Sequence, residues 1–199
     1  LIESGELEDI ISSGVRGLTS NPSIFQKAIS TSSIYDSDIE KQAGQGRSNV
    51  EIFESLAIDD IRAAADILHD VYVSSEGADG FVSLEVNPHL ADDSIETVRE
   101  ARRLFASVDK PNLMIKVPAT PAGIPAIKTL VSEGVNINVT LIFSTNTYAD
   151  VREAYISGLE SRSSTGEDIS NISSVASFFV SRVDSAVDEV VESFDSDHQ

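Results

Sequence analysis

The sequence predicts an α/β protein built on a parallel sheet. Short β-branched, apolar runs alternate with longer segments of helical period, and five such pairs follow one another without interruption. Length supplies the second constraint. Five βα units fit an open doubly wound sheet or part of a (β/α)8 barrel, and 199 residues fall short of the roughly 250 that a complete barrel takes. A single domain over residues 1–199 is expected, since no linker, low-complexity tract or fixed-period repeat divides the chain.

The elements follow in order. A helix-like stretch, Leu1-Ile2-Glu3-Ser4-Gly5-Glu6-Leu7, opens the chain, and the first strand is expected at 14–19. The long interval to residue 79 has room for two helices. One of them, 50–72, carries Ile52, Phe53, Leu56, Ile61, Ala64, Ala65 and Leu68 at helical spacing. A strand at 80–86 leads to a helix at 93–107, with Ile95, Val98, Ala101, Leu104 and Phe105 on one face and Asp92, Asp93 or Ser94 as its cap. The strand at 113–117 leads to a helix at 122–133, which follows Pro121 and stops before Gly134. Strands at 136–143 and 172–177, with helices at 146–160 and 182–193, complete the set.

Composition excludes several classes. Apolar residues at 41% and charged residues at 24% are globular proportions. Against 33 Asp and Glu stand only 14 Lys and Arg, a net charge of -19 that repels phosphate backbones, so no nucleic-acid partner is expected. Such a surface also suits solubility in high salt. If it is a salt adaptation, stability and activity rise with salt toward molar concentration. The absence of cysteine rules out disulfides, a thiol nucleophile, thiolate zinc and iron–sulfur clusters. No run approaches the ~18 apolar residues of a membrane span and no basic-then-apolar leader opens the chain, so a soluble, cytoplasmic protein is expected. The single methionine is Met114, which suggests a piece of something longer.

The strands carry polar residues where a sheet covered on both faces would be apolar. Lys116 lies inside Leu113-Met114-Ile115-Lys116-Val117-Pro118, and Glu85 inside Phe81-Val82-Ser83-Leu84-Glu85-Val86. Asn138 and Thr140 interrupt the fourth strand, Asn21 follows the first, and Ser177 ends the fifth. Alternation puts Ser83, Glu85 and Asn87 on one face, Met114 with Lys116, and Asn138 with Thr140. A buried ion pair that only fixes the fold would account for Lys116 and Glu85. Polar residues at the C-terminal ends of all five strands instead favour a site at a barrel mouth, where several strands contribute catalytic groups. Burial disfavours the charged form of an amine, and a free amine attacks carbonyls. A neighbouring carboxylate can shuttle protons while a carbinolamine forms and breaks. Asn and Thr suit sugar hydroxyls and Arg suits a phosphate. The set describes Schiff-base chemistry on a sugar.

Weaker signals fall away. Gly44-Gln45-Gly46-Arg47-Ser48 lacks the preceding strand and the ending of a phosphate loop. His69, His89 and His198 have no metal-ligand spacing, and Asp36-Ser37-Asp38 is too short for a calcium loop.

At Thr19-Ser20-Asn21-Pro22-Ser23-Ile24-Phe25 the chain resembles the transaldolase family. The likeness continues through Val82-Ser83-Leu84-Glu85-Val86, Leu113-Met114-Ile115-Lys116-Val117-Pro118-Ala119-Thr120, Asn138-Val139-Thr140-Leu141-Ile142-Phe143-Ser144 and Ser174-Val175-Ala176-Ser177-Phe178-Phe179-Val180-Ser181-Arg182. The 50–72 helix and the segment ending in Arg182 are most similar to the family's longer bacterial form. The resemblance implies a (β/α)8 TIM barrel of the class I aldolase type, incomplete in this chain, with no metal and no organic cofactor. It implies transfer of a dihydroxyacetone unit between sugar phosphates in the pentose phosphate pathway. Lys116 is then the Schiff-base lysine, while Glu85 and Thr140 hold the catalytic water. Thr19, Asn21, Asn138 and Ser177 line the sugar pocket, and Arg182 takes the substrate phosphate. The family's first-strand aspartate and its second phosphate-binding arginine have no counterpart in these 199 residues. Asn87 stands where an aspartate is expected. An isolated chain of this length should be poorly active and should expose sheet edges. A fructose-6-phosphate aldolase-like lyase and a catalytically silent sugar-phosphate-binding barrel remain as other readings.

Overall fold

A computed structural model describes residue 2 and residues 4–196. Its sheet holds β1 (Leu18–Thr19), β2 (Val82–Glu85), β3 (Leu113–Pro118), β4 (Ile137–Ile142) and β5 (Ser174–Phe178), all parallel and in the spatial order β1-β2-β3-β4-β5. Around it run α1 (Glu6–Ser12), α2 (Pro22–Thr31), α3 (Asp36–Gly44), α4 (Asn49–Ile67), α5 (His69–Ser74), α6 (Ser94–Val108), α7 (Gly123–Ser132), α8 (Thr145–Ser164) and α9 (Val180–Ser196).

The strand order decides between the two architectures. A doubly wound sheet reverses direction once and so places helices on both faces. Here the order never reverses, and right-handed crossovers in one direction put the helices that connect the strands on the same side. Side chains agree. Val82, Leu84, Leu113, Ile115, Val117, Ile137 and Val139 join Ile61, Ala65, Leu104, Ile127 and Leu130 of α4, α6 and α7 in one buried apolar cluster. The intervening strand residues Ser83, Glu85, Met114, Lys116, Asn138 and Thr140 lie outside that cluster, on the opposite, inner face. The fold is a partial (β/α)8 barrel with β1 and β5 at its open edges.

The elements depart from expectation where burial is thin. The first strand is only Leu18–Thr19: Val15 is exposed, Gly14 turns at φ 111°, and before Leu18 the segment is tied to the approach of β2 by the Gly80 amide donating to the Arg16 carbonyl at 2.7 Å. The interval before β2 holds four helices and a 3₁₀ turn at Ser33–Tyr35, not two helices. Helix α2 buries only Phe25, with Ala28 and Ile29 half-buried on the same face, and α3 buries nothing, so the two short helices give little signal beside the long α4. The expected 50–72 helix breaks at Leu68 into α4 and α5. Of the three candidate caps for α6, Asp93 serves, its carboxylate accepting from the amides of Ile95 and Glu96 at 3.0 Å each. Leu1 and Glu3 of the opening stretch, and His198, lie outside the described residues.

Two polar devices fix the layers. Fully buried Asn112 donates to the carbonyls of Ala65 and Gly80, at 2.9 and 2.8 Å, and so joins α4 to the turn before β2. At the start of α4, Ser48 and Glu51 cap reciprocally. The Ser48 hydroxyl, and after it the Ser48 amide, hold the Glu51 carboxyl below the usual carboxylate range. A depressed folded-state value contributes stability above the unfolded value, near pH 4.3 for a glutamate, and loses it as pH falls through the folded one. Glu51→Gln should therefore lower stability at neutral pH and flatten the acid limb of the unfolding curve, so that the two proteins converge at low pH, where the wild-type carboxyl is itself neutral. Melting temperatures from neutral pH downward check this, and parallel acid limbs for the two proteins would refute it.

Candidate active site

The inner face of the sheet is polar at its C-terminal end because β2, β3 and β4 each place one or two hydrophilic side chains there. Parallel register puts Glu85 beside Lys116, and Lys116 beside Asn138. Lys116 is 7% exposed among apolar strand neighbours. Its Nζ lies 3.1 Å from Glu85 Oε2 and donates to the Ser20 carbonyl at 2.9 Å. An ammonium or amine in this position is therefore held from two sides, by a carboxylate on β2 and by a peptide oxygen just past β1. The ion pair foreseen from sequence exists. Its setting among further polar groups is what a purely structural pair would not need.

Those further groups form a chain of hydrogen bonds across the sheet. The Asn138 amide donates to Ser83 Oγ at 3.0 Å, and Ser177 Oγ donates to Asn138 Oδ1 at 3.0 Å. Ser20 Oγ donates to the Ser83 carbonyl at 2.7 Å. Ser20, Ser83 and Asn138 are each 4% exposed. Sequence reading placed Ser83 on the inner face without a role and gave Ser20 none. The contribution of Ser20 to Lys116 is a backbone oxygen, which no residue type announces.

Thr140 is the last inward residue of β4 and is buried, opposite Pro118 of β3. Beyond it the ladder changes parity. Val139 pairs with Ala176 and Ile142 with Phe178, so three steps along β4 match two along β5. The extra residue is Leu141, at φ 60° and exposed, and the bulge turns Ile142 into the outer core. Bulges of this kind at barrel rims re-aim side chains beside active sites. Here the bulge ends the polar face at Thr140 and sends Phe143 outward, against Phe179 with ring centroids 5.3 Å apart.

The remaining candidates sit around this cluster. Thr19 pairs with Ser83 and shares with Met114 and Asn138 a cavity of about 300 Å³ over the inner face. Asn21 caps α2, its Oδ1 accepting from the Ile24 amide at 2.9 Å. It borders a second cavity of about 320 Å³, which runs between Phe25, Phe53 and Leu104 and reaches Glu85. Arg182 is exposed on α9, with its guanidinium 6.0 Å from the centre of the Phe179 ring. The structure thus brings Lys116, Glu85, Asn138 and Ser177 into one network, sets Thr19 and Asn21 on its margins, and leaves Arg182 at the neighbouring rim. Among the described residues no group of three or more His, Asp or Glu could hold a metal, and no helix is long and apolar enough to cross a membrane.

Comparison with known proteins gives this arrangement a lineage. The family model described as transaldolase/fructose-6-phosphate aldolase matches residues 2–199. The chain belongs to the transaldolase/fructose-6-phosphate aldolase family. It is 50% identical over 193 residues to a transaldolase of Trichodesmium erythraeum, which covers 96% of this chain and 51% of that protein. A transaldolase of Saccharopolyspora erythraea is also 50% identical over 193 residues, 96% of this chain and 52% of the relative. Transaldolase 2 of Nostoc punctiforme is 50% identical over 186 residues, 93% of this chain and 49% of the relative. The chain spans about half the length of the curated relatives it matches. Family membership accords with the one-sided winding of the sheet and with the polar inner face at its C-terminal end.

Proposed function

We propose that this chain carries the Schiff-base centre of a cytoplasmic transaldolase, which moves a dihydroxyacetone unit from sedoheptulose 7-phosphate to glyceraldehyde 3-phosphate, giving erythrose 4-phosphate and fructose 6-phosphate. The observation that supports it best is the Lys116 amine, set inside an apolar strand and held at 3.1 Å by Glu85 on the polar face. Glu85 is within reach to take the ammonium proton, which frees the nitrogen lone pair for the C2 carbonyl of a ketose phosphate. Attack forms a carbinolamine. Glu85, working through a water held with Thr140, returns a proton to the departing hydroxyl, and water leaves as the imine forms. The protonated imine accepts the electrons of the C3–C4 bond as the C4 hydroxyl gives its proton to a base and the aldose leaves. The resemblance assigns that base to the first-strand aspartate, which has no counterpart in these 199 residues. The resulting enamine of the three-carbon unit then adds to the aldehyde of the acceptor.

Asn138, Ser177, Thr19 and Asn21 are the hydroxyl-binding groups in this scheme. Arg182 is its phosphate ligand, with the Phe179 ring 6.0 Å away at the reach of a cation–π contact that leaves the guanidinium donors free. The reaction needs neither metal nor organic cofactor, because the imine itself is the electron sink. In the chain restored to its natural ends, borohydride reduction with fructose 6-phosphate present, followed by peptide mapping, should leave a three-carbon adduct on Lys116. Erythrose 4-phosphate added before reduction should discharge it. An undischarged adduct that water alone slowly removes would point to the aldolase-like lyase. No adduct on a folded protein would leave Lys116 as an ion-pair partner only, in a silent sugar-phosphate-binding barrel.

A further inference from the structure

We propose that Ser83 is a positioning residue whose hydroxyl fixes the Asn138 amide beside Lys116, an inference that rests on the Schiff-base reading above. Its hydroxyl and its carbonyl serve different partners. The hydroxyl accepts from the Asn138 amide at 3.0 Å. The carbonyl accepts from Ser20 Oγ at 2.7 Å, and the carbonyl of Ser20 in turn accepts from Lys116 Nζ at 2.9 Å. Register places Ser83 beside Thr19 on one side and Met114 on the other, two residues before Glu85 on the same face. One buried serine on β2 thus connects the end of β1, which holds the lysine, to the amide on β4.

The consequence for Asn138 follows from its hydrogen-bonding capacity. A primary amide has two N–H donors and one carbonyl oxygen. Ser177 occupies the oxygen and Ser83 one hydrogen. Exchanging the amide's O and N would pair the same two serines in the opposite sense and would still leave one hydrogen over. Clamped on both sides, the amide plane cannot rotate. Its spare hydrogen is held at the position of β4 next to Lys116, where a ketose bound through C2 carries a hydroxyl on the adjoining carbon. The Ser83 hydroxyl touches no reacting atom in this scheme and acts through Asn138. An alanine at position 83 would fill the strand equally well and leave the Ser20 bond to the carbonyl intact, so the hydroxyl is the part to be tested.

The test is the rate of borohydride trapping with fructose 6-phosphate, together with kcat and KM, in the chain restored to its natural ends and its Ser83→Ala, Ser83→Cys and Ser83→Thr variants. Ser83→Ala should trap on Lys116 about 10- to 100-fold more slowly, as a group misplaced by under an ångström near the chemistry costs up to roughly that factor. The loss should fall on kcat with KM within about threefold, because a group that firms its contact in the transition state acts there. Ser83→Thr keeps the hydroxyl and should recover most of the rate, while Ser83→Cys, with a weak acceptor of similar size, should lie between. Should Ser83→Ala not fold, the cysteine and threonine variants decide on the same readouts. Equal trapping rates in all folded proteins, or a threonine variant as slow as alanine, would overturn the role of Ser83 while leaving the Schiff base standing. Absence of any adduct in the unaltered protein would remove the Schiff base, and this proposal with it.

Discussion

Lys116→Met should abolish borohydride trapping and lower any transferase rate by at least about 10⁴-fold, because no other group can supply the covalent intermediate. It should also destabilise the fold, for a reason separate from catalysis. Glu85 has 14% of its side chain exposed and loses its counter-ion at 3.1 Å. Removing one partner of a well-buried pair costs roughly 3–5 kcal/mol. The residual exposure of Glu85 should bring this nearer to about 2–3 kcal/mol, since partial solvation screens the charge. The Ser20 carbonyl, which accepts from Lys116 at 2.9 Å, loses its donor as well. The double variant Lys116→Met, Glu85→Leu should recover most of the lost stability while remaining inactive, because replacing a whole buried pair with apolar side chains is often neutral. Urea unfolding of the two single variants and the double variant gives the coupling directly. A double variant as unstable as the sum of the singles would show that Lys116 and Glu85 do not sense one another.

The residues of that pair were legible because a charge inside an apolar strand is an expensive anomaly, and sequence displays anomalies of residue type plainly. Asn138 and Ser177 were visible for the same reason, as polar groups at strand ends. Whatever depends on backbone was not visible. The Ser20 carbonyl that holds Lys116 could belong to any residue, and nothing about a leucine marks the positive φ at Leu141 that shifts the ladder by one residue. The continuous alternation expected over 136–143 therefore describes the observed strand only as far as Thr140. Helix α3 escaped because it buries no side chain and carries no stripe for periodicity to find. Helices α6 and α7 were foreseen to within a residue or so at each end, because caps and stop signals bound a clear apolar face. Arg182 entered through resemblance alone. Its position on α9, against Phe179, is a property of packing at the rim that no local pattern encodes.

Gly123→Ala should be strongly damaging, as the glycine whose added methyl meets the shortest contact. A Cβ at that position would lie 1.9 Å from the Pro118 carbonyl oxygen and 3.1 Å from both the Pro118 carbonyl carbon and Thr120 Oγ1. The first obstacle is backbone, so no rotamer change relieves it. Helix α7 cannot retreat either, since Ala126, Ile127 and Leu130 are each fully buried. The strain must pass into the end of β3, two residues beyond Lys116. Overpacking a core typically costs about 1–3 kcal/mol, and a clash between two backbones belongs at or above the top of that range. Catalysis should fall together with stability, because the shift enters the strand that carries the nucleophile. Gly44→Ala is the contrasting case. It lies at the end of α3, has nothing within 4 Å of the added methyl and no positive φ, and should gain about 0.5–1 kcal/mol as alanine replaces a helical glycine. Urea midpoints for the two variants should therefore move in opposite directions from the unaltered protein. Similar midpoints would mean that the β3–α7 turn relaxes freely, and the close approach of Gly123 to Pro118 would then have no part in holding Lys116 in place.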